Sequence, residues 1–212
     1  MLVLGDAHAD EQSNRSALLA AYEEADADTA LQVGDLLYYD LPVPTWFVAG
    51  NDEDLDVVES LRTGSDADRT RNVHLLASTA VERHGIRVAG LSGNYAPTQF
   101  DRPRSELEND RRRHFVSDDV ERATELTDVD VFLAHEAPHG LLQSDGYDVG
   151  CKHVDAILRA LTPDRCLVGH HHEHVESTFG DTTVVGLAPV WESYYTLDPE
   201  TIALERHPSP EA

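Results

Sequence analysis

The chain has 212 residues and a formal net charge of −24, from 40 Asp and Glu against 16 Lys and Arg. That length is enough for one domain whose core needs no disulfide or structural metal, and residues 1–212 are read as a single domain. So strong an acidic excess argues against a nucleic-acid binder held by backbone attraction alone, and no run of about 18 apolar residues is present to cross a membrane.

The acids are scattered among apolar periodic segments rather than gathered into blocks, which makes them a solvated face. Lys152 is the one lysine. Because the Debye length falls to about 3 Å in 1 M salt, such a surface is tolerated in concentrated salt, and a halophilic source is expected. The chain opens Met-Leu-Val-Leu-Gly, with no basic leader segment or small-residue cleavage site, so a soluble cytoplasmic protein is expected. Cys151 and Cys166 are far apart and outside any CxxC spacing, so they read as two buried reduced thiols.

In chain order, Leu2 to Leu4 reads as a short buried strand and Ser16 to Ala25 as a helix with Leu18, Leu19 and Tyr22 on one face. Ala30 to Val33 and Thr45 to Ala49 are further apolar runs, each ending in glycine and a polar residue, at Gly34-Asp35 and Gly50-Asn51. Val73 to Ala77, Ala80 to Arg83 and Ile86 to Leu91 read as strands, the last two joined in a hairpin at His84-Gly85. Asn94 to Phe115 is polar and arginine-rich, without clear period, and is read as a functional excursion. Val120 to Leu126 reads as a helix capped by Ser117 or Asp118, and Val129 to Ala134 as a buried strand ending at His135. Val154 to Leu161 is a helix closed by Pro163, and Cys166 to Val168 a strand opening into Gly169-His170-His171-His172. From Glu176 to Glu205 three or four short strands are expected, with turns at Gly180-Asp181 and Asp198-Pro199. The alternation predicts an α/β fold of two packed mixed β-sheets flanked by helices.

Five short motifs follow these runs: Gly5-Asp6-Ala7-His8, Gly34-Asp35, Gly50-Asn51-Asp52-Glu53, His135, and Gly169-His170-His171-His172. A lone Asp at a strand end is usually a turn cap and a lone His usually a surface or satisfied core residue. That all five motifs end apolar runs is what those separate readings leave unexplained. Mixed carboxylate, imidazole and amide-oxygen donors suit manganese, iron, zinc or nickel, whereas all-oxygen cages favour magnesium or calcium. Two cations about 3.5–4 Å apart need one ligand that bridges them, and a carboxylate has the two oxygens required. Asp35 is the expected bridge.

All motifs but the third match, position for position, those of calcineurin-like metallophosphoesterases, and the resemblance spans residues 2 to 172. It implies a four-layer sandwich and a metal-dependent phosphoesterase with two divalent cations. Asp6, His8, Asp35 and His172 would hold one, and Asp35, Asn51, His135 and His170 the other, with a hydroxide shared between them attacking phosphorus. Asn51, Asp52 and His135 are the expected catalytic group. The departure lies at position 52, where many relatives carry a histidine that protonates the leaving group or steadies phosphoryl oxygens. A carboxylate at position 52 is a poor proton donor, which leaves metal-bound water or a histidine from elsewhere, such as His139, to protonate the leaving group, or restricts the enzyme to esters with good leaving groups.

The stretch Gly85 to Tyr95, together with Arg111-Arg112-Arg113-His114-Phe115 and the strand ending at His135, is similar to the catalytic region of RNA lariat debranching enzymes. That similarity implies phosphodiester chemistry on a nucleotide or RNA substrate. Those relatives have a histidine after the asparagine and additional sequence for branch recognition. Physically, Arg102, Arg104, Arg111, Arg112 and Arg113 are a basic island in an acidic chain, and Tyr95 and Phe100 offer flat surfaces for a base. Tyr95 and Arg111 to Arg113 are therefore expected to touch substrate. The same arginines could instead pair with Glu106, Glu108 and Asp110 at the surface. A phosphomonoesterase, a non-catalytic scaffold of this fold that binds a protein partner, and a hydrolase of carbon–nitrogen or carbon–oxygen bonds are the competing readings.

Overall fold

The computed structural model describes residues 1–65, 70–144 and 146–210. It contains two six-stranded mixed sheets and one two-stranded hairpin. The first sheet has the order β14-β13-β1-β2-β3-β4. Its strands are β1 (Leu2–Leu4), β2 (Ala30–Gln32), β3 (Asp40–Phe47), β4 (Arg71–Leu75), β13 (Ser193–Leu197) and β14 (Leu204–Pro208). The second has the order β11-β12-β10-β7-β6-β5. It is built from β5 (Thr79–Arg83), β6 (Ile86–Leu91), β7 (Val131–Ala134), β10 (Arg165–Val168), β11 (Val175–Phe179) and β12 (Thr182–Gly186). The small hairpin is β8 (Gln143–Ser144) with β9 (Tyr147–Asp148).

Each large sheet has a parallel centre, β1 to β4 in one and β12, β10, β7, β6 in the other, with antiparallel strands outside it. Parallel strands covered on both faces read as continuous apolar runs, and the alternation of side chains decides which core each residue enters. In β7, Val131 and Leu133 face the space between the sheets, whereas Phe132 and Ala134 face the outer helices. In β1 the same rule sends Val3 inward and Leu2 and Leu4 outward.

Helices α1 (Gln12–Ala25) and α2 (Leu55–Thr63) cover the first sheet with Leu18, Ala21, Tyr22, Val57 and Val58. On the second sheet lie α3 (Ser117–Thr124) and α4 (Lys152–Leu161), which contribute Val120, Ala123, Val154, Ile157 and Leu158. The result is the expected helix, sheet, sheet, helix stack. No helix among the described residues is long and apolar enough to cross a membrane.

Several boundaries differ from the periodicity reading. Helix α1 starts a turn earlier than Ser16. β3 reaches back to Asp40, with its pairing to β4 irregular between Asp40 and Thr45, where Pro42 and Pro44 lack the N–H a ladder needs. Helix α2 and the β8–β9 hairpin have no counterpart among the expected elements, although α2 carries both end signals. Asp54 accepts from the Asp56 and Val57 amides at its start, and Gly64 closes it in the left-handed region. The N-cap of α3 is Val116 rather than Ser117 or Asp118. Its amide donates to Asp119 Oδ2 at 3.0 Å, so the carboxylate at the third helical position reaches back to do the capping.

That carboxylate also anchors the 94–115 excursion. Asp119 is 2% exposed and bonds the guanidinium groups of both Arg104 and Arg122, while Arg104 also donates to His114 O at 2.9 Å. Burial pushes the Asp119 carboxyl up, but the hydrogen bond and charge of Arg104, the Val116 amide and Arg62 outweigh it and hold the group below its ordinary value. Arg104 thus serves the fold.

A group whose folded value lies below its unfolded one adds stability that is complete above the unfolded value and is lost as pH falls through the folded one. The protein should therefore lose stability on acidification below about pH 4. Asp119→Ala, which strands buried guanidinium charge, should cost about 3 kcal/mol at neutral pH and weaken the acid dependence. Urea unfolding of both proteins across that pH range checks this, and an unchanged midpoint at neutral pH would contradict it.

Candidate metal centre

The five motifs converge because each follows a parallel strand at its carboxyl end. Asp6 follows β1, Asp35 follows β2, Asn51 follows β3, His135 follows β7, and His170 and His172 follow β10. In open α/β sheets the loops beyond these ends form the binding crevice, and here two such sheets offer theirs to one place.

The distances join all seven residues into one cluster. His8 Nε2 lies 3.3 Å from His172 Nε2 and 3.6 Å from Asp35 Oδ2. His135 Nε2 lies 3.5 Å from the same Asp35 oxygen, 3.0 Å from Asn51 Oδ1 and 3.2 Å from His170 Nδ1. Asp6 Oδ1 is 3.7 Å from His135 Nδ1, and the His170 amide donates to both Asp6 oxygens at 3.0 and 3.1 Å. Two groups, Asp6 with His8 and His172, and Asp6 with Asp35 and His135, each have ligand atoms all within 4.8 Å of one another. Asp35 Oδ2 faces one imidazole from each of the two expected ligand sets.

The electrostatics of this cluster favour a cation. Burial pushes Asp6 up to about 7 against the His170 amide, with further repulsion from Asp35, and burial also raises Asp35. His135, fully buried, is pushed down to about 3 by desolvation. Being neutral, it donates from Nδ1 to Val33 O at 2.9 Å, which leaves the Nε2 lone pair within 3.2 Å of His170 Nδ1. That lone pair points at Asn51 Oδ1, also an acceptor. Two acceptors at 3.0 Å repel unless positive charge sits against them, so the donor set fits divalent cations of borderline softness.

The local backbone is bent to make this possible. His8, Asp35, His170 and His172 all have positive φ, at 42°, 54°, 73° and 53°, a region that non-glycine residues enter at a cost and that clusters at functional sites. Glycine is required at two places where the backbone passes close to Asp35 and His135. Gly34 has φ 115°, and a Cβ there would collide with the His135 ring; one at Gly50 would collide with Asp35 Oδ1 and the His135 ring.

Two supporting residues escaped the sequence reading. Gln32, polar in an otherwise apolar run, bonds both Gly5 O and Gly34 O and accepts from the Gly34 amide at 2.9 Å. It thereby ties the β1 and β2 loops together. Glu53 accepts from the Leu36 and Leu37 amides at 3.0 and 3.3 Å and from Tyr39 Oη, so it clamps the Asp35 loop to the Asn51 loop. Burial lifts its carboxyl to about 7, with Asp35 adding repulsion. The available signals were a glutamine facing the core and a glutamate directly after Asn51-Asp52.

The remaining site expectations fall around the rim. The Asp52 amide donates to Asp35 Oδ1 at 2.7 Å, while its carboxylate is exposed and 3.8 Å from His8 Nδ1. His139 is held by Asp155 through its amide and its Nδ1, at 2.9 and 3.0 Å. The arginine run returns beside Asn94 through the Asn94–His114 bridge. There Arg112 bonds Asp56 at 2.8 Å, and Arg113 approaches Asp110 at 3.9 Å. The Tyr95 ring packs among Phe100, Phe115 and His153, with centroids 5.6, 6.0 and 4.7 Å away, so it contributes to the second core. His171 edges the His170 ring, and His174 lies 3.2 Å from Tyr195 Oη.

The chain belongs to the calcineurin-like phosphoesterase family, whose model matches residues 1–174. It is 25% identical over 187 residues to the lariat debranching enzyme of Entamoeba histolytica, an alignment covering 75% of this chain and 52% of that protein. The chain thus spans about half the length of that curated relative. Among solved structures, TT1561 of Thermus thermophilus superposes with a TM-score of 0.68 at 19% identity, covering 98% of both chains. A dimetal phosphatase from Danio rerio superposes with a TM-score of 0.55 at 13% identity, covering 89% of this chain and 84% of that one. These likenesses establish the fold.

Gly34→Ala and Gly50→Ala should each weaken Mn²⁺ binding about 10–100-fold, the range for disturbed supporting contacts, because each pushes on Asp35 or His135. Isothermal titration with Mn²⁺ reads the loss directly; wild-type affinity in either variant would mean that these side chains do not hold the ion.

Proposed function

We propose that the chain is a binuclear metal-dependent phosphoric ester hydrolase acting on phosphodiesters of nucleotides or nucleic acid. The single observation that carries this is Asp35 Oδ2 standing 3.6 and 3.5 Å from His8 and His135, one imidazole from each ligand set. Asp6, His8, Asp35 and His172 would hold one cation, and Asp35, Asn51, His135 and His170 the other. When bound, such a pair of cations supplies an activated water and neutralises phosphoryl oxygens.

The chain's own residues supply orientation and selectivity. The His135 Nδ1 bond to Val33 O fixes the tautomer that leaves Nε2 free to ligate. Arg111, Arg112 and Arg113 form a basic rim that would meet an ester's second phosphate oxygen; the Arg112 pair with Asp56 is exposed enough to open at little cost. The diester preference is supported by the likeness to the lariat debranching enzyme and by this arginine run. With Asp52 in place of a histidine, the leaving group takes its proton from solvent or from His139.

The decisive assay loads the protein with Mn²⁺, Zn²⁺ or Fe²⁺ in molar salt. It then compares a nitrophenyl phosphodiester, a nitrophenyl phosphomonoester, a cyclic nucleotide, a branched RNA and an acyl ester. Metal-dependent turnover that favours the diesters and vanishes in Asp35→Ala is expected; faster monoester cleavage would overturn the diester assignment. No turnover together with capture of a protein partner would instead make the chain a scaffold.

Asp52→His should raise turnover of poor leaving groups about tenfold or more while leaving nitrophenyl esters little changed. His139→Ala should slow the poor leaving groups alone if His139 is the donor. Equal rates for both ester classes in Asp52→His would count against a missing acid.

A further inference from the structure

Beside half-buried Tyr95, which packs against the second core, another aromatic residue borders the metal centre. Trp191 is 36% exposed, one of three large apolar side chains exposed among the described residues, with Leu19 and Tyr147. Its ring centroid is 6.0 Å from that of His8 and 5.4 Å from that of His172, both ligands of the first expected set.

The backbone holds this indole in place. The Val190 amide donates to Asp6 O at 2.9 Å, and the Glu192 and Ser193 amides both close onto Pro189 O at 2.9 and 3.1 Å. Ser209 Oγ donates to Val190 O from the far side. The turn carrying Trp191 is therefore bonded to the main chain of a candidate ligand, which keeps its backbone beside the metal centre.

The surroundings of Trp191 are acidic: the Asp52 carboxylate lies 3.8 Å from His8, and Glu192 follows the tryptophan directly and is near enough to act on His172. A further phosphate would be repelled there. A flat, uncharged ring system would not, and it would bury the exposed indole by stacking.

We propose that Trp191 is a substrate-binding residue that stacks the nucleobase of the esterified group, so that the substrates are nucleoside phosphoesters whose base lies on the His8 and His172 side. The proposal rests on the phosphoesterase reading above and names the substrate class of that site.

The protein has two tryptophans, and Trp46 is buried, with its ring stacked on His74. In a Trp46→Phe background, Trp191 is the sole indole reporter. With Mn²⁺ bound, adenosine 5′-monophosphate should quench its fluorescence and bind about tenfold more tightly than ribose 5-phosphate. Should Trp46→Phe fail to fold, the same two affinities are measured calorimetrically in the wild type.

On hydrolysis, Trp191→Ala should raise KM for a dinucleotide about tenfold, Trp191→Phe should restore most of it, and a ringless alkyl phosphodiester should feel neither. Equal affinity for the nucleotide and the sugar phosphate overturns the proposal. So does a Trp191→Ala loss of Mn²⁺ affinity or kcat shared by both diesters, since the indole would then only support His8 and His172. In those cases metal-dependent hydrolysis by the wild type persists, which separates this failure from failure of the phosphoesterase reading, where no metal-dependent hydrolysis occurs.

Discussion

Two buried carboxylates, Asp6 and Asp35, stand at neighbouring strand ends within reach of the same imidazoles, and the rest of the structure is arranged around keeping them there. Burial raises both above their ordinary values, so the fold bears a desolvation cost that cations would relieve. The cost is tolerated because the surroundings leave no alternative position. Gly34 and Gly50 permit close approach, Gln32 joins the β1 and β2 loops, and Glu53 joins the β2 and β3 loops.

From that constraint the architecture follows. Here the candidate ligands come from the strand ends of both sheets. Packing two sheets face to face through Val3, Leu31, Val131, Leu133 and Leu167 sets β1, β2 and β3 opposite β7 and β10. The crevice beyond both sets of carboxyl ends then receives two carboxylates, an amide and the His8 imidazole from one sheet and three imidazoles from the other. The positive φ angles at His8, Asp35, His170 and His172 are the local cost of turning those side chains back into it.

A net charge of −24 conceals local differences. Arg112 and Arg113 are paired with Asp56 and Asp110, while Trp191 borders His8 and His172 with Asp52 close to His8. Arg104, though part of the same run of basic residues, belongs to the fold, since it is bonded to buried Asp119.

Local signals were enough for the order of most elements and for the identity of the seven converging side chains, because an apolar run followed by glycine and a ligand-type residue is written in adjacent positions. They were enough, too, for the two mixed sheets, since continuous apolar runs alternate with amphipathic helices. Helix α2 escaped because its two buried valines, Val57 and Val58, make too short an apolar face to stand out, leaving only its caps to mark it. What tertiary structure alone decided was partnership across long separations. Trp191 meets His8 and His172, Glu53 meets Leu36 and Leu37, and Tyr95 turns from a candidate surface into part of a packed aromatic cluster. No period or motif encodes such pairs, because whether an aromatic ring faces solvent or core depends on which distant strand folds against it.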